Sequence, residues 1–467
     1  MRSWVNKIHF VGVGGVGMCG IAEVLHNLEF DVSGSDLKDS ANTKRLAAMG
    51  MTISIGHKAE LVHGVDVVVV SSAIDTSNPE VAEAIEHNIP VIPRAEMLGE
   101  LMQLQRGIAI AGTHGKTSTT SLAASVLAEG GVDPTFVIGG RLISAGTNAR
   151  LGKGDYLVAE ADESDASFIH LHPLMAVVTN IDADHMATYD GDFEKLKQAF
   201  LAFLHNLPFY GMAILCNEDE VVRELIPQVH KPHVTYGLSD DADYSAVQIR
   251  HEDRHSHFVV NKPDQKNWLQ VTINQPGTHS ILNSLASIVI ADLVGVEADA
   301  IKKALAEFAG IGRRLQINGE YTINGKNILF IDDYAHHPTE LKATLEAVKQ
   351  GWSERRIVVV FQPHRYTRTH DLMDDFSAVL SEENPVVVTE VFAAGEKPQS
   401  GADGRALCRA IRARGQTDPV FVEELDSLPE VLGNLLEDGD LVLTMGAGSI
   451  GQAATELPVR MQGVEVA

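Results

Sequence analysis

The densest chemistry in the chain lies at Gly112-Thr113-His114-Gly115-Lys116-Thr117-Ser118. Two glycines, a lysine and hydroxyl side chains within seven residues are the parts of a phosphate cradle. Backbone amides face anionic oxygens, Lys116 offsets β/γ charge, and the Thr117 hydroxyl suits Mg²⁺. The apolar run Ile108–Ala111 precedes the loop and a helical pattern over Ser121–Glu129 follows. That order puts the amides at a helix N-terminus. The spacing departs from G-x4-G-K-[ST], since only two residues separate Gly112 from Gly115. The context still predicts ATP. The bland alternative is a glycine turn beside a solvated lysine.

A second glycine loop opens the chain. Gly12, Gly14 and Gly17 satisfy G-x-G-x-x-G, with Gly15 between them, after the strand-like run Ile8–Val13. Such a loop allows a tight turn and close approach to a pyrophosphate. Asp36 ends the next strand, where a carboxylate can take a ribose hydroxyl. The motif does not separate a dinucleotide from a nucleotide-sugar. Both loops in one chain suggest ATP-driven chemistry on a nucleotide-linked substrate. A third cluster, Glu160-Ala161-Asp162-Glu163-Ser164-Asp165, follows the run Tyr156–Ala159. Four acids at a strand end repel unless cations or donors are present. Mg²⁺ takes one or two carboxylates plus phosphate and water, with Glu160 the first choice here. His185 follows the run Ala176–Thr179, on the same predicted sheet edge. Gly446 to Gly451 mimics another phosphate loop and is read as a strand–helix turn. His251, His255 and His257 are read as solvated.

The elements that must position these groups are α/β units. Short β-branched runs alternate with helical patterns through most of the chain, the reading of parallel sheets. His233–Ile273 differs, with polar alternating segments, and is read as a small antiparallel meander. Helices are predicted at His279–Leu293 and Ala298–Phe308. The 467 residues suffice for about three domains. Boundaries are expected near Gln103–Gly107 and Gly310–Arg314, with Gly310 and Gly312 as hinge residues. A net charge of −26 argues against non-specific nucleic-acid binding and anionic lipid. Cys19, Cys216 and Cys408 write neither a disulfide framework nor a zinc motif, which fits a reducing, cytoplasmic setting. No signal-peptide pattern or membrane-length apolar run is present, so no membrane insertion is expected.

Taken together, these motifs resemble the Mur ligases of bacterial cell-wall synthesis, over essentially the whole chain. The shortened Gly112–Ser118 loop is similar to that family's own phosphate loop. The resemblance implies three α/β domains: an N-terminal Rossmann-like UDP-sugar-binding domain (1–105), a central P-loop ATPase-like mixed sheet with the meander (106–312), and a C-terminal Rossmann-like amino-acid-binding domain (313–467). It implies a uridine-diphosphate pocket at Gly12–Met18 with Asp36 and Ser71. Thr117, Glu160 and His185 would hold metal, two Mg²⁺ ions with Mn²⁺ as a substitute. Gly277-Thr278-His279-Ser280-Ile281-Leu282-Asn283 is similar to the family's G-x-H-N-x3-N pattern, where His279 and Asn283 contact ATP. Ser280 departs from the usual Asn. Arg314 would lie near the phosphates and Asp333 in the ATP site. Tyr334, His336, Arg365 and Arg368 would line the amino-acid site.

Three segments, Gly12–Met18, Asp332–Pro338 and Gln362–Thr369, point to one reaction within the family. It joins L-alanine to the lactyl carboxylate of UDP-N-acetylmuramate through an acyl phosphate and a tetrahedral intermediate, releasing ADP and phosphate. His336 is a candidate base for the amine, with an Asp or substrate phosphate as rivals. Arg365 and Arg368, three residues apart, suit a carboxylate, or else pair with Asp371 or Asp374 on a surface helix. Other members carry a carbamylated lysine fifteen residues after the metal-site histidine, where this chain has Phe200, so none is expected. The rival readings are a ligase that recycles a tripeptide onto the same sugar nucleotide, a nicotinamide-dependent oxidoreductase, and a nucleotide-gated regulatory protein. A monomer or homodimer is expected.

Overall fold

The computed structural model describes residues 4–71, 74–143, 147–252 and 254–462. Three sheets organise it. The first holds β1 (Lys7–Val11), β2 (Asp31–Asp36), β3 (Thr52–Ile55), β4 (Val67–Val70) and β5 (Val91–Pro93) in the order β3-β2-β1-β4-β5. All its pairings are parallel. Strand order reverses at β1, and open α/β sheets bind ligands at such a switch point, beyond the strands' C-terminal ends. The glycine loop Gly12–Gly17 follows β1 there.

The second sheet has ten strands. They are β6 (Arg106–Ala111), β7 (Thr135–Leu142), β8 (Thr147–Arg150), β9 (Tyr156–Glu160), β10 (Met175–Val178), β11 (Met212–Cys216), β12 (His233–Gly237), β13 (Tyr244–Glu252), β14 (His255–Lys262) and β15 (Gln265–Ile273). Their order is β15-β14-β13-β12-β11-β10-β6-β9-β7-β8. The strand β6 is central, flanked in parallel by β9 and β10. Ile108, Ala109, Ile110 and Ala111 are wholly buried. A strand covered on both faces must be a continuous apolar run, which is how this one reads. The segment read as a small antiparallel meander supplies β12 to β15, which extend one end of this sheet. Its first strand, β12, pairs parallel to β11, because Tyr236 buries its ring in the core.

The third sheet holds β16 (Gln316–Ile323), β17 (Lys326–Asp333), β18 (Ile357–Phe361), β19 (Val386–Thr389), β20 (Val420–Val422) and β21 (Leu441–Met445), in the order β16-β17-β21-β18-β19-β20. The β16–β17 hairpin is antiparallel and the other pairings are parallel. Leucines, valines and isoleucines on its two faces form two separate apolar clusters. The fold is a three-domain α/β arrangement with a parallel first sheet and mixed second and third sheets.

By compactness the chain forms two units. One carries the first two sheets, and the other takes the chain from Gly310 on with short stretches around 251–256 and 275–280. Within the first unit the helix Val16–Asn27 lies on β7 and β8. Gly20 permits this, since a Cβ there would sit 3.1 Å from the Ala149 methyl. Asn148 donates to the Val16 carbonyl (2.9 Å) and accepts from Arg45 (3.0 Å). The first glycine loop is thus anchored to the second sheet.

Candidate active site

The phosphate loop follows β6 and runs directly into the helix Lys116–Glu129, which starts five residues before the expected Ser121. Gly115 makes the early start possible. It caps the helix at φ +83°, a left-handed conformation that only glycine adopts cheaply. Gly112 stands at φ +131°, and a Cβ there would lie 2.0 Å from the Thr179 hydroxyl oxygen. The loop rests on the segment after β10. Thr179 Oγ1 donates to the His114 carbonyl (2.7 Å), Asn180 Oδ1 accepts from the His114 amide (2.8 Å), and His114 Nε2 meets Asp182 (3.1 Å). Asp182's amide donates to Thr113 Oγ1 (2.8 Å). Gly112→Ala is therefore expected to cost about 2–4 kcal/mol of stability, read by chemical denaturation. Wild-type stability would show that the turn tolerates a side chain.

Lys116 is already occupied. Its ammonium donates to the Gly112 carbonyl (2.6 Å), the Thr113 carbonyl (3.1 Å) and both oxygens of Glu163 (2.9 and 2.7 Å). Burial alone would lower its pKa. The carboxylate of Glu163, then Asp162, outweigh this and raise it. The acidic run divides its work. Glu160 takes the Gly139 amide (2.6 Å) and the Thr117 hydroxyl. Asp162 faces Arg94 (3.4 Å) and the Ser164 amide (3.1 Å). Burial pushes the Glu160 carboxyl up, against the Gly139 amide and Lys116. Glu160 pairs in register with Ile110, and Val178 with Ala111. The ends of β9 and β10 therefore flank the phosphate loop. Glu160 leaves one side, and His185, at φ +55°, lies on the segment leaving the other. The half-buried Glu160 carboxylate beside the Thr117 hydroxyl is a hard oxygen donor set that fits Mg²⁺. Ser118 lies in the helix's first turn. Asn283 packs on the loop, with its Oδ1 accepting from Thr119 Oγ1 (3.2 Å) and lying 2.7 Å from where a Gly115 Cβ would be.

The first glycine loop is closed from below. The Ser35 carbonyl accepts the Gly12 and Val13 amides (2.8 and 3.0 Å). Asp36 accepts the Gly14 amide (2.9 Å), and Ser71 Oγ lies 3.0 Å from where a Gly12 Cβ would stand. Gly15 is the helix N-cap. Met18 is 1% exposed and packs into the core, because the helix's first turn faces the sheet there. Under the loop the wholly buried Glu80 gathers Ser35 Oγ (2.6 Å), His9 Nε2 (3.1 Å), His57 Nδ1 (3.3 Å) and the Lys58 amide (3.0 Å). Burial would raise its carboxyl, but the bonds from His9, Ser35 and Lys58 hold it below the usual range. Arg94 adds a cation, its guanidinium 2.7 Å from a Cβ placed on Gly17. Neither residue carried a local signal. Arg94 lies in another βα unit, and Glu80 in a helix that reads as plain surface.

In the second unit, Tyr334, His336, His364, Arg365 and Arg368 converge. The Tyr334 and His336 rings are 5.3 Å apart, and those of His336 and His364 5.7 Å. Arg313 and Arg314 lie over the Tyr334 ring at 5.1 and 5.3 Å. His336 Nδ1 meets the Tyr334 carbonyl at 3.0 Å. A carbonyl only accepts, so Nδ1 carries the proton and Nε2 keeps its lone pair. Burial lowers the His336 pKa; Glu340 opposes this and Arg368 adds to it. His364 is lowered to about 4 by burial, then by His336, Arg368 and Arg365. Its Nδ1 is buried and finds no hydrogen-bond partner among the described residues. Arg365 caps the short helix Tyr366–Asp371 at φ +70°, and Arg368 lies within it. Asp374 pairs with Arg414 and Asp371 with His370. The Asp333 oxygens accept the Leu315 and Ala335 amides (2.7 and 2.8 Å), bracing the entry to this unit. His279 is lowered to about 4 by burial and Arg314.

Elsewhere the terminal glycine turn is packed shut. Gly446's carbonyl accepts from Arg313 (2.5 Å), and Gln362 accepts the Ile450 amide (2.9 Å). His251 and His257 are half-buried and bonded to Ser256 and Thr272 (2.9 Å each), rather than solvated, because the strands carry facing hydroxyls. Phe200 is fully buried against Phe168.

A strand-order switch with a glycine loop, a phosphate loop flanked by acids and a third α/β sheet define an ATP-dependent ligase class. Comparison places the chain within it. Residues 7–106 match the Mur ligase family catalytic domain, 110–291 the Mur ligase middle domain, and 313–448 the Mur ligase glutamate ligase domain. The chain belongs to the Mur ligase family and is an acid–amino-acid ligase of peptidoglycan precursor synthesis. Among solved structures it is similar to UDP-N-acetylmuramate-alanine ligase from Thermotoga maritima, at 30% identity and a TM-score of 0.81, covering 98% of this chain and 100% of that one. It is also similar to a murein peptide ligase from Psychrobacter arcticus, at 24% identity and a TM-score of 0.71, covering 99% and 100%. A third is the UDP-N-acetylmuramate:L-alanyl-gamma-D-glutamyl-meso-diaminopimelate ligase from Neisseria meningitides, at 27% identity and a TM-score of 0.61, covering 66% and 100%. No helix among the described residues is long and apolar enough to cross a membrane.

Proposed function

We propose that this chain joins L-alanine to the lactyl carboxylate of UDP-N-acetylmuramate, converting ATP to ADP and phosphate. The observation that carries the reading is the convergence of His336, His364, Arg365 and Arg368, with the Tyr334 ring against His336, a cationic site suited to an amino-acid carboxylate. The 30% identical alanine ligase supports it. Residues 1–105 would hold the sugar nucleotide, with Gly12–Gly17, Asp36, Ser71 and Arg94 around its diphosphate and ribose. Residues 106–312 would hold ATP, and 313–467 the amino acid.

A carboxylate is a poor electrophile, so the lactyl oxygen first attacks the γ-phosphorus and ADP leaves. Two anions meet in that step, and Lys116 and the loop amides offset their charge. Thr117, Glu160 and His185 would hold Mg²⁺, which would supply further charge neutralisation at the phosphates. The alanine amine then attacks the acyl phosphate carbon. Arg365 and Arg368 hold its carboxylate through paired N–H donors. His336 Nε2, neutral near pH 7, takes the amine proton. The tetrahedral intermediate expels phosphate.

The test is phosphate release from ATP, Mg²⁺ and UDP-N-acetylmuramate with L-alanine, the murein tripeptide or no amine. Release that needs both the sugar nucleotide and L-alanine, with a product heavier by one alanyl residue, is expected. Release with tripeptide alone would move the chain to the reaction named for its murein peptide ligase relatives. Release needing neither co-substrate would overturn coupled synthesis.

A further inference from the structure

The Lys116 ammonium has three N–H donors, and four acceptors from the protein itself surround it. No donor is left for a phosphate unless a protein contact is given up. Two acceptors are loop carbonyls and the other two are the oxygens of Glu163. The Glu163 side chain is 1% exposed and that of Lys116 is 15% exposed. Glu163 is also held from behind, since its carbonyl accepts the Tyr189 hydroxyl (2.6 Å) and the Ala166 amide (3.0 Å). Its neighbours in the acidic run are committed elsewhere, Glu160 to Gly139 and Thr117 and Asp162 to Arg94 and Ser164. Glu163 is thus the acid of the run whose carboxylate meets the lysine with both oxygens.

We propose that Glu163 is a positioning residue that latches Lys116 against its own loop in the nucleotide-free chain and recaptures it when ADP leaves. This rests on the ATP-binding reading of the loop. Incoming β/γ-phosphate oxygens compete with a fixed carboxylate for one ammonium. The apparent affinity is the intrinsic affinity reduced by the fraction of lysine that is unlatched. Weakening the latch therefore tightens every ligand that needs Lys116. It also slows ADP departure, because nothing takes the ammonium back.

The experiment measures ADP affinity, with Mg²⁺, by equilibrium titration of the full chain and of Glu163→Gln, which keeps shape and removes charge. The expected result is ADP binding tightened on the order of tenfold, with a lower KM for ATP and a kcat that falls through slower product release. Unchanged or weaker ADP binding would overturn the latch. In a Lys116→Met background the Glu163→Gln effect should vanish. Its persistence would mean simple repulsion between carboxylate and phosphate, and would also overturn the latch. Should Glu163→Gln not fold, Glu163→Asp breaks the two-oxygen contact and must also tighten ADP. Wild-type affinity in that variant counts against the proposal. If the unmutated chain binds no ADP, the ATP-binding reading itself fails, which separates the two ideas.

Discussion

Replacing Lys116 by Met is expected to lower kcat/KM for ATP by about 10³-fold or more, since one preorganised donor at a developing charge is worth about 10²–10³ and Lys116 carries a full charge. The KM for the amino acid should stay near its wild-type value, because the cationic cluster around His336 lies on a different sheet. The substitution has a second consequence. Glu163 is 1% exposed, and removing its counter-ion strands a buried carboxylate. Breaking such a pair from one side costs about 3–5 kcal/mol, so the single variant should also unfold at lower denaturant. Adding Glu163→Gln should restore most of that stability and none of the activity. Steady-state kinetics and urea titrations on the two proteins separate these effects. Activity that returned with stability would show that Lys116 acts through folding and not on phosphate.

The same residues show what a sequence can and cannot reveal. The central strand was legible over Ile108–Ala111 because burial on both faces demands an unbroken apolar run, and the exposed Arg106 at its start carries no such signal. The loop after it was legible because phosphate chemistry restricts residue type. Its floor was not. Thr179, Asn180 and Asp182 hold the loop only because β10 pairs with β6, and no spacing along the chain reports which strands become neighbours. The helix start at Lys116 was misplaced for a local reason. Thr117, Ser118, Thr119 and Thr120 have weak helix propensity, but Gly115 caps the helix and the Thr120 hydroxyl folds back onto the Lys116 carbonyl (2.8 Å). Arg94 and Glu80 were invisible for the reason Thr179 was, being brought to the first loop by strand order. The four-acid run was legible as a cluster. The division of labour within it depends on side-chain partners 21 to 68 residues away.

Removing the Arg368 side chain is expected to raise the KM for L-alanine about 10–100-fold, the value of a charge-assisted hydrogen bond of about 1.5–3 kcal/mol, with little change in the KM values for ATP and the sugar nucleotide. A guanidinium that recognises the amino-acid carboxylate acts on that substrate alone. A guanidinium that merely packs the short helix Tyr366–Asp371 would depress every parameter together. The pH profile gives an independent check. Burial holds the His336 and His364 rings below their ordinary pKa, and Arg368 depresses both further. Both rings therefore stay neutral to lower pH than a free histidine would. In Arg368→Ala the repulsion is gone and both pKa values move up. If neutral His336 takes the amine proton, activity is lost as pH falls through that pKa, so the acid limb of kcat must shift to higher pH in the variant. NMR titration of the two imidazoles would follow the same shift without turnover. Imidazoles that move while the acid limb stays in place would remove His336 from the role of base and leave substrate phosphate or an aspartate to take the proton. An unchanged alanine KM would take Arg368 out of the amino-acid site altogether.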